Sequence, residues 1–212
     1  MFLLLLGGLS LRGAVPLADY INSEVFMILV RDVKHEDTGV LLKIYSYYVE
    51  YTAISFESEV PSLAEFENRI RNITEHYPYL VIENDGVVEG YAYAHLFVGR
   101  EAYSYSVEMT IYLDAKSRGR GLGKILYGEL ESRLKTMGIT NLYACIGVTE
   151  IEDEYLTNNS RDFHSHIGYK TVGVFTRCGR KFGRWYDMIW MEKCIGEHED
   201  NPSPIEWYKC SD

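Results

Sequence analysis

Three groups of residues carry types and spacings that suit chemistry. The first is Arg118-Gly119-Arg120-Gly121-Leu122-Gly123-Lys124. Glycines let successive backbone N–H groups converge without Cβ clashes, and a helix starting there adds partial positive charge, so the run suits a pyrophosphate. A dinucleotide fingerprint would need glycine where Lys124 stands, and a P-loop would need glycine at Arg118 and Ser or Thr at Ile125. Neither pattern is met; R-x-x-G-x-G is. The second is Glu108, whose carboxyl, if partly desolvated in mid-strand, should be raised toward the range where it accepts a proton near neutral pH. The third is His164. A lone helical histidine serves structure as readily as chemistry, and His166, two residues on, falls on another helical face. His-x-His here is not a metal site. Cys145, Cys178, Cys194 and Cys210 are far apart with no CxxC or CxxH, which predicts a reduced, metal-free chain.

The elements that must position these groups alternate between short strands and amphipathic helices, the pattern of a mixed α/β layer. Strands are expected at residues 27–31, 79–83, 87–97, 105–113 and 141–148, and a closing hairpin at 169–178 and 185–193. Asp85-Gly86 supplies the positive φ values of a tight turn. In residues 105–113, Glu108, Thr110 and Tyr112 share one face, opposite Val107, Met109 and Ile111. Helices are expected at 37–51, from Ser62 to Pro78 behind a Ser62/Glu65 capping box, at 121–137 closed by Gly138, and after the acidic residues 150–154 through Ile167.

R-x-x-G-x-G followed by a helix resembles the acetyl-CoA pyrophosphate motif of the GNAT superfamily. The likeness extends through FESE (56–59), YPYLVIENDGVVEGYAYA (77–94), REAY (100–103), VEMTIYL (107–113), FHSHIGY (163–169) and KFGRWYDMIWMEK (181–193), blocks similar in order to those of phosphinothricin N-acetyltransferases. It covers residues 28–193. The resemblance implies a GNAT fold, a mixed, strongly twisted sheet flanked by helices, and acetyl transfer from acetyl-CoA to a small amino-acid-like amine of the phosphinothricin or methionine sulfone or sulfoximine type. It implies Glu108 as general base and His164 as its catalytic partner. It implies cofactor contacts from Ile111, Tyr112, Leu113, the turn Arg118, Gly119, Arg120, Gly121, Leu122, Gly123 and Lys124, and Asn159. Arg100 matches an arginine near the substrate's acidic group, with Phe56 and Tyr103 lining the same pocket. Two departures stand out: Phe97 lies where relatives commonly have tryptophan, and Thr157 falls where they have a cofactor-contacting asparagine.

The chain has 212 residues, 21 Lys plus Arg against 31 Asp plus Glu, and a net charge of −10. The length predicts one domain, residues 27–193, with a tail at 194–212; the charge disfavours nucleic acid. Residues 1–26 hold an apolar run too short to span a membrane and lacking the basic residues of an export signal. They read as an extension or a start site placed too far upstream. The protein is expected to be cytoplasmic, with no membrane partner, and relatives are often homodimers. Acetylation of a protein N-terminus or another small amine, and a non-catalytic acyl-CoA sensor, are the rival functions. Eighteen tyrosines are read as core and pocket lining.

Overall fold

The computed structural model describes residues 27–209; the expectations for residues 1–26 and for Cys210 lie outside them. The seven strands are β1 (Ile28–Asp32), β2 (Tyr79–Asn84), β3 (Val87–Leu96), β4 (Ser106–Leu113), β5 (Asn141–Val148), β6 (Lys170–Lys181) and β7 (Arg184–Cys194). The helices are α1 (Thr38–Tyr51), α2 (Leu63–Thr74), α3 (Leu122–Thr136) and α4 (Asn159–His166). One sheet runs in the order β1-β2-β3-β4-β5-β7-β6, and β4–β5 is its parallel pair.

That parallel pair positions the site. Its register runs only through Ser106↔Asn141, Val107↔Leu142 and Glu108↔Tyr143, after which the strands part and leave a cleft. On one face Leu122, Leu126, Leu130 and Leu134 of α3 bury against Val107, Met109 and Leu142. On the other, α1 and α2 cover Tyr79, Val81 and Tyr91 with Leu41, Tyr45, Tyr48 and Phe66. The alternation in β4 therefore sorts its side chains as expected, Val107 and Met109 to the α3 core and Tyr112 to the α1–α2 side.

The β2–β3 turn has Asp85 at φ 50° and Gly86 at 77°, the left-handed values a two-residue hairpin needs. Ser62 caps α2 by accepting from the Glu65 amide at 3.2 Å, but the expected reciprocal arm of the capping box is replaced by a Glu65–Arg69 ion pair at 2.7 Å. The fourth helix is shorter than the periodicity suggested. Asp153 accepts from the amides of Tyr155 and Leu156, both at 2.8 Å, and Glu152 accepts from the Asn158 amide at 2.8 Å, so the acidic stretch folds as side-chain-capped turns. After β7 the chain straps the far end of α3: the Glu206 amide donates to the Met137 carbonyl at 3.0 Å, and the Tyr208 hydroxyl to Asp32.

Candidate active site

The parting of β4 from β5 opens a cavity of about 430 Å³ whose lining includes Glu108, Ile111, Tyr112 and Tyr127 on one side and Cys145 and Gly147 on the other. The α1–α2 loop closes it with Ile54, Ser55, Phe56 and Glu57. Burial pushes the Glu108 carboxyl above its ordinary value, and His95, its register partner on β3, offsets part of the rise from 3.8 Å away. The Cys145 thiol, pushed up to about 12 by desolvation and then by the Glu108 charge, stays protonated near neutral pH and is a poor nucleophile.

His164 also lines the cavity but is 3% exposed, and burial pulls its pKa down to about 4. Its Nδ1 lies 2.7 Å from the Ser160 carbonyl, which can only accept, so Nδ1 carries the proton. Nε2 must then accept from the Tyr127 hydroxyl at 3.0 Å. Both ring nitrogens are engaged, and His164 orients the Tyr127 hydroxyl at the cavity wall.

In an antiparallel pair, alternate residues turn both main-chain polar groups to the same edge. The Asp114 amide bonds the Glu89 carbonyl at 2.8 Å, and Val107 lies within the β5 pairing. Met109 and Ile111 thus turn N–H and C=O into the cleft, whereas Tyr112 turns its main chain to β3. The Leu113 amide and carbonyl already bond the Tyr48 hydroxyl. Of the three residues expected to offer main-chain bonds to a cofactor, Ile111 turns its main chain into the cleft with no partner of its own among the described residues.

At the end of β4 the glycine turn adopts the geometry its composition suggested. Gly119 and Gly121 have φ of 75° and 81°, with open space where a Cβ would stand. The amides of Leu122 and Gly123 open α3 and have no intrahelical acceptor, whereas the Lys124 amide returns to the Gly121 carbonyl at 3.1 Å. The side chains beside the turn are also engaged: Arg120 forks onto Glu89 at 2.8 and 2.9 Å, and Arg118 lies over the Tyr48 ring at 4.9 Å. Gly123 has a close-packing role, since a Cβ there would meet Phe163 at 3.3 Å. Open left-handed glycines before a helix with free amides fit a diphosphate.

Besides Leu113 and the glycine turn, three expected positions, Arg100, Tyr103 and Asn159, fall outside the cavity lining. Arg100 and Tyr103 sit on the exposed loop between β3 and β4, where the Tyr103 amide closes a tight turn onto the Arg100 carbonyl at 2.9 Å and the Tyr103 ring rests edge-on against Phe97. The shared pocket expected for Phe56, Arg100 and Tyr103 therefore does not form within the described residues of one chain. Phe97 itself stacks on Tyr143 at 4.2 Å. Asn159 is exposed at the start of α4, while its neighbour Asn158 is consumed by Thr149, accepting from its amide at 3.3 Å and donating to its carbonyl at 2.9 Å. Conversely, His95, Tyr45, Glu57 and Tyr127 were not singled out from the sequence. Extending the hairpin register would have placed His95 opposite Glu108 only with the length of the intervening loop known.

A splayed parallel pair with a carboxylate at the split and an anion-binding helix start at its end is the arrangement of a coenzyme A-dependent acyltransferase. The acetyltransferase (GNAT) domain family matches residues 30–190, and the chain belongs to that family. It is 30% identical over 159 residues, 75% of this chain and 83% of the relative, to phosphinothricin N-acetyltransferase of Streptomyces viridochromogenes. It is 27% identical to L-methionine sulfoximine/L-methionine sulfone acetyltransferase of Salmonella typhimurium, over 80% of this chain and 95% of that one. Among solved structures, a phosphinothricin acetyltransferase from Sinorhizobium meliloti in complex with acetyl-CoA superposes with a TM-score of 0.77 at 34% identity, covering 83% of this chain and 93% of that chain. No helix among the described residues is long and apolar enough to cross a membrane, and no cluster there has the make-up of a metal site.

Proposed function

We propose that the protein transfers the acetyl group of acetyl-CoA to the amine of a small amino acid analogue, of the phosphinothricin or methionine sulfone and sulfoximine kind. The observation that carries this reading is the raised carboxyl of Glu108, set at the point where β4 and β5 part and facing the cavity beneath the α1–α2 loop. An ammonium group resembles lysine in keeping its proton at neutral pH. Glu108 takes that proton, and its raised affinity makes it a better base than an exposed glutamate. The amine nitrogen then bonds to the acetyl carbon, the carbon–sulfur bond breaks, and the second proton that the nitrogen sheds passes to the departing sulfur, so that coenzyme A leaves as the free thiol. The Met109 N–H, next to Glu108 and turned into the cleft, donates to the oxyanion formed on the way. Ile111 offers main-chain bonds to the pantetheine arm, and the amides of the turn through Gly123 hold the diphosphate. His164 fixes the Tyr127 hydroxyl at the cavity wall and is a positioning residue.

Incubation with acetyl-CoA and a panel of amino acid analogues, read by release of free thiol, tests the proposal. Thiol release that depends on methionine sulfone, methionine sulfoximine or phosphinothricin is expected. Cofactor binding without turnover on any amine would refute it.

A further inference from the structure

Tyr79, Tyr91, Tyr93 and Tyr112 gather on the sheet face beneath α1 and α2, where Tyr45 of α1 joins them, with Tyr79 stacked on Tyr91 at 5.6 Å and on Tyr93 at 4.8 Å. Apolar packing explains the rings but not the hydroxyls, because phenylalanine would fill the same volume with no polar atom to satisfy. Tyr45 bonds Ser55 at 3.0 Å. Tyr79 and Tyr91 are 2% and 1% exposed, and neither hydroxyl has a hydrogen-bond partner among the described residues. The side-chain atoms there that are both sealed and unpartnered are Asn84 Oδ1, Glu131 Oε1 and the Tyr169 hydroxyl. The Tyr79 and Tyr91 hydroxyls therefore reach open space.

That space is a second cavity, of about 90 Å³, walled by Tyr79, Tyr91, Tyr93, Arg69, Glu57 and Tyr45 together with apolar residues of α2. It exceeds the roughly 10–15 Å³ that one water requires. It shares Tyr45 and Glu57 with the larger cavity. On β3, Tyr93 stands two residues from His95, the register partner of Glu108, a step of about 7 Å along the strand. A short amino acid side chain spans such a step. The one cation that walls the small cavity, Arg69, is already held by two carboxylates, Glu57 and Glu65, each at 2.7 Å. Burial pushes the Tyr79 and Tyr91 hydroxyls well above their ordinary values, so both act as neutral donors.

We infer that this tyrosine-lined cavity receives the far end of the acceptor's side chain and selects a neutral group bearing hydrogen-bond-accepting oxygens, such as a sulfone or sulfoximine, over an anionic one. The inference rests on the proposed acetylation of an amino acid analogue. The Tyr79 and Tyr91 hydroxyls donate to those oxygens, and a phosphinate would bring a negative charge against the Glu57 carboxylate without a free cation to meet it.

The test compares methionine sulfone, methionine and phosphinothricin as acceptors for the wild type, Tyr79→Phe, Tyr91→Phe and the double variant. Methionine has the same carbon chain without the oxygens. In the wild type, methionine sulfone should show a higher kcat/KM than phosphinothricin. Each substitution should lower kcat/KM for the sulfone by about three- to tenfold, leaving methionine and the KM for acetyl-CoA unchanged. Equal losses for methionine and its sulfone, or no loss for either, overturn the assignment, as does a wild-type preference for phosphinothricin. Because the removed hydroxyls have no partner among the described residues, the urea midpoints should match or exceed that of the wild type; a lower midpoint would show that the hydroxyls serve the fold and overturn the assignment. Activity confined to unrelated amines would overturn this subsite while sparing acetyl transfer, whereas absence of thiol release with every amine would overturn the acceptor reading as well.

Discussion

His164 makes the protein's stability depend on pH in a way that can be calculated. Burial lowers its folded pKa to about 4 from 6.5, and the Ser160 carbonyl only partly opposes the drop. The unfolded chain therefore binds the proton first. The contribution is fully present above about pH 6.5 and is lost as the pH falls toward 4. A displacement of about 2.5 pH units at about 1.36 kcal/mol each gives about 3 kcal/mol, most of it lost by about pH 4.5. That is a large share of the stability of a typical domain. Carboxylates lose stability over part of the same range, so the assay must isolate one residue. Urea unfolding of the wild type and His164→Gln at pH 7.5 and 4.5 does so, because glutamine does not titrate. The wild type should lose about 2 to 3 kcal/mol more than the variant between the two pH values. Equal losses, or a His164 imidazole that titrates near 6.5 in the folded protein by NMR, would refute the assigned tautomer and the positioning role built on it.

Glu108→Gln should lower kcat by roughly 10²- to 10⁴-fold with the affinity for acetyl-CoA unchanged by calorimetry. In the wild type, kcat/KM should rise with pH through an acid limb lying above the ordinary glutamate value of 4.5, because burial raises the Glu108 carboxyl, and the variant should lack that limb. Gly121→Asp forces a side chain and a negative charge onto a left-handed position at the start of α3, so the dissociation constant for acetyl-CoA should rise at least about tenfold. Gly179→Ala would set a Cβ 2.3 Å from the Phe56 ring and push that ring from the cavity mouth. The KM for the acceptor should change and the KM for acetyl-CoA should not; the reverse pattern would place Phe56 on the cofactor side.

Local chemistry made much of this protein legible from its sequence. Gly119 and Gly121 are glycines because the turn needs φ near 80°, Asp85-Gly86 makes the hairpin for a related reason, and strict alternation put Glu108 and Tyr112 on the same face of β4. Each of these depends on a few adjacent residues, so spacing alone reveals it. What the tertiary structure decided depends on which distant segments meet. The parallel pairing of β4 with β5 ends at Glu108, a fact of strand divergence that no periodicity records, and the cavity exists because of it. That Ser160 and Tyr127 occupy both nitrogens of His164 is set by the meeting of α3 and α4. Arg100 and Tyr103 form a turn of their own outside the cavity lining. The tyrosines were readable as core, but whether a hydroxyl is bonded or faces empty space is settled only when β2, β3 and α2 are brought together, because hydrogen bonding depends on distances that the order of residues does not specify.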